Sequence, residues 1–499
     1  MRHFLMGLLL VQSVGLSLWV PQGWAQSRAG SGSASGSFRT PTATPPPRTT
    51  PTPPASIPSG STPPRSFPGS SGIPTNDGDT GSGFRITFPG GSIDLGGGNH
   101  NRHGNQNQHE VAQEDVESGQ VLMLWKKPQA SQPILAALAA EQIRPVASTR
   151  LKTLGWLLVL FQFPDHAAAS QHLADWQKRF PEIIADYNFL YRAQSEIQSE
   201  AQSEAQSEHQ GREYALSMLD LPAAKSIDKP LRQRLSQTRV GILDTDVVPT
   251  LWLRDVTLTR EHFTAANPAG PIDLPAHPAH GTAIASLIAR VAPTTQLYAA
   301  AVMTARDDQT LTTTHRLVQG VDWLLGKRVQ VINMSLAGRR DKLFAATVAE
   351  LMQRKVLVTA AAGNQGRRAP PAYPAAYATT HAGVLAVTAC DVDGQLYRQA
   401  NRGTYITVAA PGVDLWVPAA LDTSAPDSVA ARYVSGTSYA SAYVAGAAAY
   451  WLAWLAKNRN DTGKNVSATF CKTAKDLGAT GRDEEFGCGL LQIKAALKP

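Results

Sequence analysis

Short apolar runs that stop at a polar residue, and one long apolar stretch of small residues, dominate the second half of this chain. Val240-Gly241-Ile242-Leu243 ends in Asp244-Thr245-Asp246. That pattern predicts a buried parallel strand with Asp244 at its carboxyl end, where open α/β sheets place their sites. His280-Gly281-Thr282 opens a helical run from Ala283 to Arg290. Gly436-Thr437-Ser438 opens another, from Ser438 to Leu455, that is apolar almost all round, with Ala440, Ala442, Ala445, Gly446 and Ala447 on its close-packed side. A helix of that kind is buried rather than amphipathic. Further upstream the pattern predicts strands over Val121–Trp125, Leu154–Phe163 and Ile183–Tyr191, helices over Ile134–Gln142 and Ala167–Phe180, and a further strand near Ile143–Thr149. Together these make a small α+β unit of ferredoxin-like order.

The flanks lack such patterns. Arg2 and His3 precede an apolar core from Phe4 to Val20, and Gly23-Trp24-Ala25 supplies a small-x-small cleavage site, the pattern of an export signal over residues 1–25. Residues 26–115 are rich in Gly, Ser, Thr and Pro, then in Gly, Asn and Gln. Such composition buries too little apolar surface to offset chain entropy, so disorder is expected there. His100, His103 and His109 read as part of that solvated tract rather than as metal ligands. Residues 116–193 are the α+β unit. Residues 194–213 form a linker in which Gln-Ser-Glu recurs every four residues, from Gln194-Ser195-Glu196 to Gln206-Ser207-Glu208. Glutamates four apart stack on one helical face and repel, which favours a solvated linker or a marginal helix over a packed element, and a segment open to cleavage. Residues 214–499 remain for the main domain.

Charge and cysteine content narrow the function classes. The net charge of +7 is thinly spread, with no basic stripe interleaved with aromatics, so nucleic acid is not expected as a partner. Of three cysteines, Cys471 and Cys488 flank one C-terminal loop and are candidates to pair after export, at a gain of about 3 kcal/mol in the chain-entropy model. Cys390 ends the apolar run from Val384 and reads as a buried free thiol; all three remaining reduced is an open alternative. His315 and His381 have no catalytic context.

The chemistry lies in the order Asp244, His280, Ser438, each at the edge of an element. A serine at a helix mouth has a backbone N–H and a helix dipole aimed at any oxyanion that forms in front of it. Singly, Asp244 reads as well as a turn former and Ser438 as an ordinary cap; the ordered set is what points to catalysis. From about Tyr214 onward the chain resembles the subtilisin-like serine proteases. Asp244-Thr245, His280-Gly281-Thr282 and Gly436-Thr437-Ser438 match that family's three active-site motifs. Ala361-Ala362-Gly363-Asn364 looks like its oxyanion-hole loop, and Val331 to Leu336 like the strand that pairs with the substrate backbone. Ala409-Ala410-Pro411-Gly412 and Phe486-Gly487-Cys488-Gly489-Leu490 are also similar to family landmarks.

The resemblance implies a three-layer α/β fold with a mostly parallel sheet. It implies an endopeptidase working through an acyl-enzyme, with Ser438 as nucleophile, His280 as base, Asp244 orienting the imidazole and Asn364 with the Ser438 N–H as oxyanion donors. Ser335, Leu336, Ala337, Ala362 and Gly363 are the substrate-binding candidates it implies. No cofactor is expected. Calcium is common in such relatives, but no ligand set is readable here. The unit at 116–193 resembles, by position and pattern, an inhibitory propeptide. Expected partners are protein or peptide substrates and that propeptide, in a monomer that is secreted, periplasmic or held in the envelope. Asp246, Ala283, Ala337 and Ala442-Tyr443 depart from the family pattern; Asp246 reads either as raising the basicity of the histidine or as facing solvent. Because of these departures a catalytically silent binding protein stays open, as does an envelope or adhesion protein working through its N-terminal region.

Overall fold

The computed structural model of the chain describes residues 85–88, 91–94, 113–194, 196–197, 214–222, 227–264, 273–418, 431–458 and 465–498. The chain divides into two compact units, Met1–His103 and Gly104–Pro499. Of the first, β1 (Arg85–Phe88) and β2 (Gly91–Asp94) form an antiparallel hairpin within the tract expected to lack structure. The expected export signal, the three histidines of the Gly/Asn/Gln tract and most of the Gln-Ser-Glu repeat lie outside the described residues.

The second unit begins with a module of order β-α-β-β-α-β: β3 (Val116–Trp125), α1 (Ser131–Ala140), β4 (Ala147–Leu151), β5 (Trp156–Gln162), α2 (His166–Arg179) and β6 (Ile184–Ala193). The strands are antiparallel in the order β6-β3-β5-β4. This is the ferredoxin-like arrangement the pattern predicted. Helix α1 starts three residues earlier than predicted, where the Ser131 hydroxyl bonds Pro128 O at 2.7 Å, and it is over before Gln142, whose φ is 65°. The core of the module is Phe161 and Trp176, their ring centroids 4.8 Å apart, with Val121, Met123 and Leu138 in the same buried cluster.

Downstream, after the short helix α3 (Lys229–Leu235), a seven-stranded sheet carries the site. Its strands are β8 (Arg239–Asp244), β9 (Leu258–His262), β11 (Gln296–Ala301), β14 (Val331–Met334), β16 (Leu357–Ala361), β17 (Val384–Cys390) and β18 (Val408–Pro411). They run parallel in the order β18-β17-β16-β14-β8-β11-β9. Alternate residues face opposite layers, as the pleat requires. Val240, Ile242, Leu385 and Val387 pack with α4 (Ala279–Val291) and α7 (Thr437–Asn458). Leu243, Ile332, Val358 and Ala386 pack on the other face with α5 (Thr314–Gly326) and α6 (Lys342–Gln353). Parallel strands covered on both faces read as unbroken apolar runs, which is why β8 was legible in the sequence. Helices α4 and α7 approach so closely that a Cβ on Gly446 would lie 2.7 Å from Val291 Cβ.

The fold therefore has three layers, as expected. The strand anticipated over Val331–Leu336 is broken, however. It stops at Met334, and β15 (Leu336–Gly338) turns out of the parallel sheet to pair with β6. Ser335, between them, gives its hydroxyl to Ser438 O at 3.1 Å instead of continuing the ladder. Cys471 and Cys488 form a disulfide, and Cys390 is buried and free.

Candidate active site

Each element delivers one group to the carboxyl edge of the parallel sheet. Asp244 is the last residue of β8, His280 the second of α4 and Ser438 the second of α7. All three are buried. His280 Nδ1 lies 2.6 Å from Asp244 Oδ1, an oxygen that also accepts Thr245 N–H at 2.7 Å. A carboxylate at that distance holds the ring proton on Nδ1 and leaves Nε2 as an acceptor. His280 Nε2 is buried with no hydrogen-bond partner, and the ring stands 5.6 Å from that of Tyr439, the residue after Ser438. Backbone proximity holds α4 against β8: Gly281 N–H donates to Thr245 Oγ1 at 2.8 Å, and a Cβ there would lie 2.5 Å from Thr245 O.

Asn364 faces the same mouth. Its Oδ1 accepts from Thr437 N at 3.1 Å and from Thr437 Oγ1 at 2.8 Å. Gly363 N–H donates to Thr437 Oγ1 at 3.2 Å, so the threonine hydroxyl proton must point at Asn364. The amide orientation is thereby fixed, and Asn364 Nδ2 is left as a buried donor without a partner. Such an orphan usually costs about 1–3 kcal/mol, which a site recovers only when an acceptor arrives.

Ser438 is covered by the chain itself. β6 runs from the ferredoxin-like module into the cleft between β13 (Gln309–Thr313) and β15, antiparallel to both. Leu190 to Arg192 pair with β13 and Tyr191 to Ala193 with β15. The next residue, Gln194, donates its N–H to Ser335 O at 3.3 Å, and its carbonyl oxygen accepts the Ser438 hydroxyl in a short hydrogen bond. Ser438 Oγ also reaches Ser335 O at 3.3 Å. Beyond the serine, β7 (Glu196–Ile197) pairs with β20 (Ala431–Ser435). The peptide on both sides of Gln194 is thus held as strand.

Of the substrate-binding candidates, Ser335, Leu336 and Ala337 line this segment directly. Ala362 and Gly363 bond elsewhere: Ala362 donates its N–H to Val387 O and accepts the Tyr405 hydroxyl at 2.8 Å, and Gly363 donates its N–H to Thr437 Oγ1 and accepts Asn401 N–H. The Asp246 carboxylate, 24% exposed, pairs with Arg260 at 3.1 Å and with His262 at 3.6 Å. Ala283 and Ala442 are core residues of the α4–α7 layer. Burial pulls His315 down to about 4. Among the described residues no group of three or more His, Cys, Asp or Glu side chains gathers to hold a metal ion.

Sequence reasoning missed three groups. Asn333, fully buried, donates to Ser335 Oγ at 2.8 Å and accepts from Ser441 and Thr359, tying the cleft strand to the serine helix. Asp186 and Asn188 of β6 accept from Lys342 N and His315 N, each at 3.0 Å, at the N-termini of α6 and α5. Glu117 of β3 pairs with Arg306 at 2.6 Å. The third is Gln194, which the repeat pattern placed in a solvated linker but which is buried here. A polar residue inside a polar repeat carries no sequence signal for burial.

Asp244, His280 and the helix-mouth Ser438 thus come to one edge of a parallel α/β sheet beside the Asn364 amide; Asp244 and His280 are paired, while the Ser438 hydroxyl bonds Gln194 O rather than His280 Nε2. Residues 236–489 match the Subtilase family, Peptidase_S8, and the chain belongs to it. It is 33% identical over 228 residues to Minor extracellular protease Epr of Bacillus subtilis, a stretch covering 43% of this chain and 32% of that protein. It is 31% identical over 230 residues to Subtilisin of Bacillus pumilus, covering 44% of this chain and 76% of that protein. The chain thus spans under a third of the former relative and about three quarters of the latter. The structure of fervidolysin from Fervidobacterium pennivorans, a keratinolytic enzyme related to subtilisin, shares the fold with a TM-score of 0.59 at 19% identity, over 78% of this chain and 62% of that one.

Proposed function

We propose that the protein is an exported serine endopeptidase, and that its own residues 116–194 are both its first substrate and its inhibitor. The observation that carries the reading is Gln194, whose carbonyl meets the Ser438 hydroxyl while strands on either side hold the chain across the serine. Attack of Ser438 Oγ on the Gln194 carbonyl carbon would form the acyl-enzyme, with the proton passing to His280 Nε2 and then to the amine of Ser195. Asp244 would stabilise the imidazolium. The carbonyl oxygen, once an oxyanion, would turn to Asn364 Nδ2 and the Ser438 N–H, the first of which has no partner in the resting arrangement. Water then releases the acyl group. Export is supported by the leader pattern and by the Cys471–Cys488 disulfide, which suits an oxidising compartment.

After cleavage the module is expected to stay docked. Its strand fills the cleft, and Asp186, Asn188 and Glu117 bond to the helix termini and the arginine described above. The test is intact mass and N-terminal sequencing of the wild type and of Ser438→Ala, produced in a protease-deficient host. Wild type is expected to show a new terminus at Ser195, and Ser438→Ala to remain joined through that bond. Cleavage of the alanine variant at the same bond would refute self-processing by Ser438.

A further inference from the structure

The segment in the cleft carries a fully buried tyrosine three residues before the carbonyl that meets Ser438. The Tyr191 ring packs edge-on against Phe344, centroids 5.6 Å apart at 64°. Its wall is backbone: a Cβ on Gly338 would lie 2.6 Å from the Tyr191 ring. The pocket ends in polar groups. The Tyr191 hydroxyl donates to Asp341 Oδ2 at 3.0 Å, with Arg339 O at 3.3 Å.

Asp341 does not depend on the tyrosine for its position. Its Oδ1 accepts Phe344 N–H at 2.7 Å as the N-cap of α6, and its Oδ2 accepts the Thr314 hydroxyl at 2.7 Å. Both partners belong to the main domain, so the acceptor is held ready for any side chain that enters. Asp341 is only 1% exposed, so water cannot readily replace a missing hydroxyl. A phenylalanine would fill the same volume and leave the buried oxygen one donor short.

Resting on the peptidase reading above, we infer that this cleft selects peptides with tyrosine, rather than phenylalanine or leucine, three residues before the scissile carbonyl, and that Asp341 is the residue that reads the hydroxyl. Sites built to hydrogen-bond a substrate hydroxyl reject the analogue that lacks it far better than apolar pockets reject a size change. The expected preference for tyrosine over phenylalanine is about 10-fold or more in kcat/KM.

The experiment uses the self-processed full chain after its docked module has been degraded by added trypsin and the trypsin inhibited, with three fluorogenic peptides, acetyl-Tyr-Arg-Ala-Gln-aminomethylcoumarin and its Phe and Leu counterparts, and casein as a general substrate. Preferential hydrolysis of the tyrosine peptide supports the inference. Casein cleavage with equal kcat/KM for the Tyr and Phe peptides overturns it and leaves the peptidase reading standing. No hydrolysis of casein or of any peptide overturns the peptidase reading and the inference with it. Asp341→Asn keeps an acceptor for Phe344 N–H but replaces the oxygen facing the tyrosine. It is expected to bring the Tyr/Phe ratio close to one, and a folded variant with the ratio unchanged would remove Asp341 from this role.

Discussion

Replacing Asn364 separates its two halves, which do different work. The side-chain oxygen accepts two hydrogen bonds from Thr437 at the start of α7, and the side-chain nitrogen has no partner. Asn364→Leu removes both halves. It leaves the Thr437 N–H at a buried helix mouth without an acceptor, at about 1–3 kcal/mol, or about 2–12 °C in Tm for a domain of this size. A loss of activity in that variant would mix instability with lost catalysis. Asn364→Asp keeps an oxygen toward Thr437 and removes only the donor. The N-terminal end of α7 tolerates a carboxylate, so its melt is expected near that of the wild type. Turnover on a chromogenic peptide is expected to fall by about 10²–10³ or more, since a transition-state donor is lost and a negative charge stands where the oxyanion would form. The Michaelis constant should change little if the donor acts only in the transition state. Steady-state kinetics beside a thermal melt decide the matter. Wild-type turnover in Asn364→Asp would refute the oxyanion role, and Asn364→Leu with an unchanged melt would refute the structural one.

Three further outcomes are expected. Gly446→Ala places a methyl group 2.7 Å from Val291 Cβ and should destabilise the α4–α7 layer by about 1–3 kcal/mol in denaturant unfolding. Cys471→Ser/Cys488→Ser opens a loop of 17 residues and should cost about 3 kcal/mol by the same measurement, with Cys390 unreactive to thiol reagents in the folded protein. Burial raises Asp341 to about 7, with Asp186, Tyr191 and Tyr377 facing it. The folded state then binds a proton that the unfolded state has released between about pH 4 and 7, so stability falls as pH rises through that window. Asn at 341 carries no such proton, so its Tm should gain on the wild type from pH 4 to pH 7. A Tm difference that stays constant with pH would contradict this origin.

Local pattern was enough for the parts whose signal is periodic or stereochemical. The apolar run at 240–243 with its terminal carboxylate, the all-apolar helix after Ser438 and the two-helix, four-strand order of residues 116–193 each follow from burial alternating with exposure over a few residues. The order Asp244, His280, Ser438 and the block around Asn364 were legible because each sits at an element edge set by local sequence. Tertiary structure decided everything that depends on residues far apart. It turned β15 out of the parallel sheet at Ser335, paired Asp246 with Arg260 rather than with His280, and joined Cys471 to Cys488. It also laid residues 190–194 between β13 and β15, burying Gln194 from a polar repeat against Ser438. No local rule predicts that burial, because the partners that hold Gln194 in the cleft, Ser335 O, the Asn364 N–H and the Ser438 hydroxyl, lie 141 and more positions along the chain. The sequence determines which groups are available; the fold decides which of them meet, since hydrogen bonds and ion pairs at long separation form only after the layers have packed.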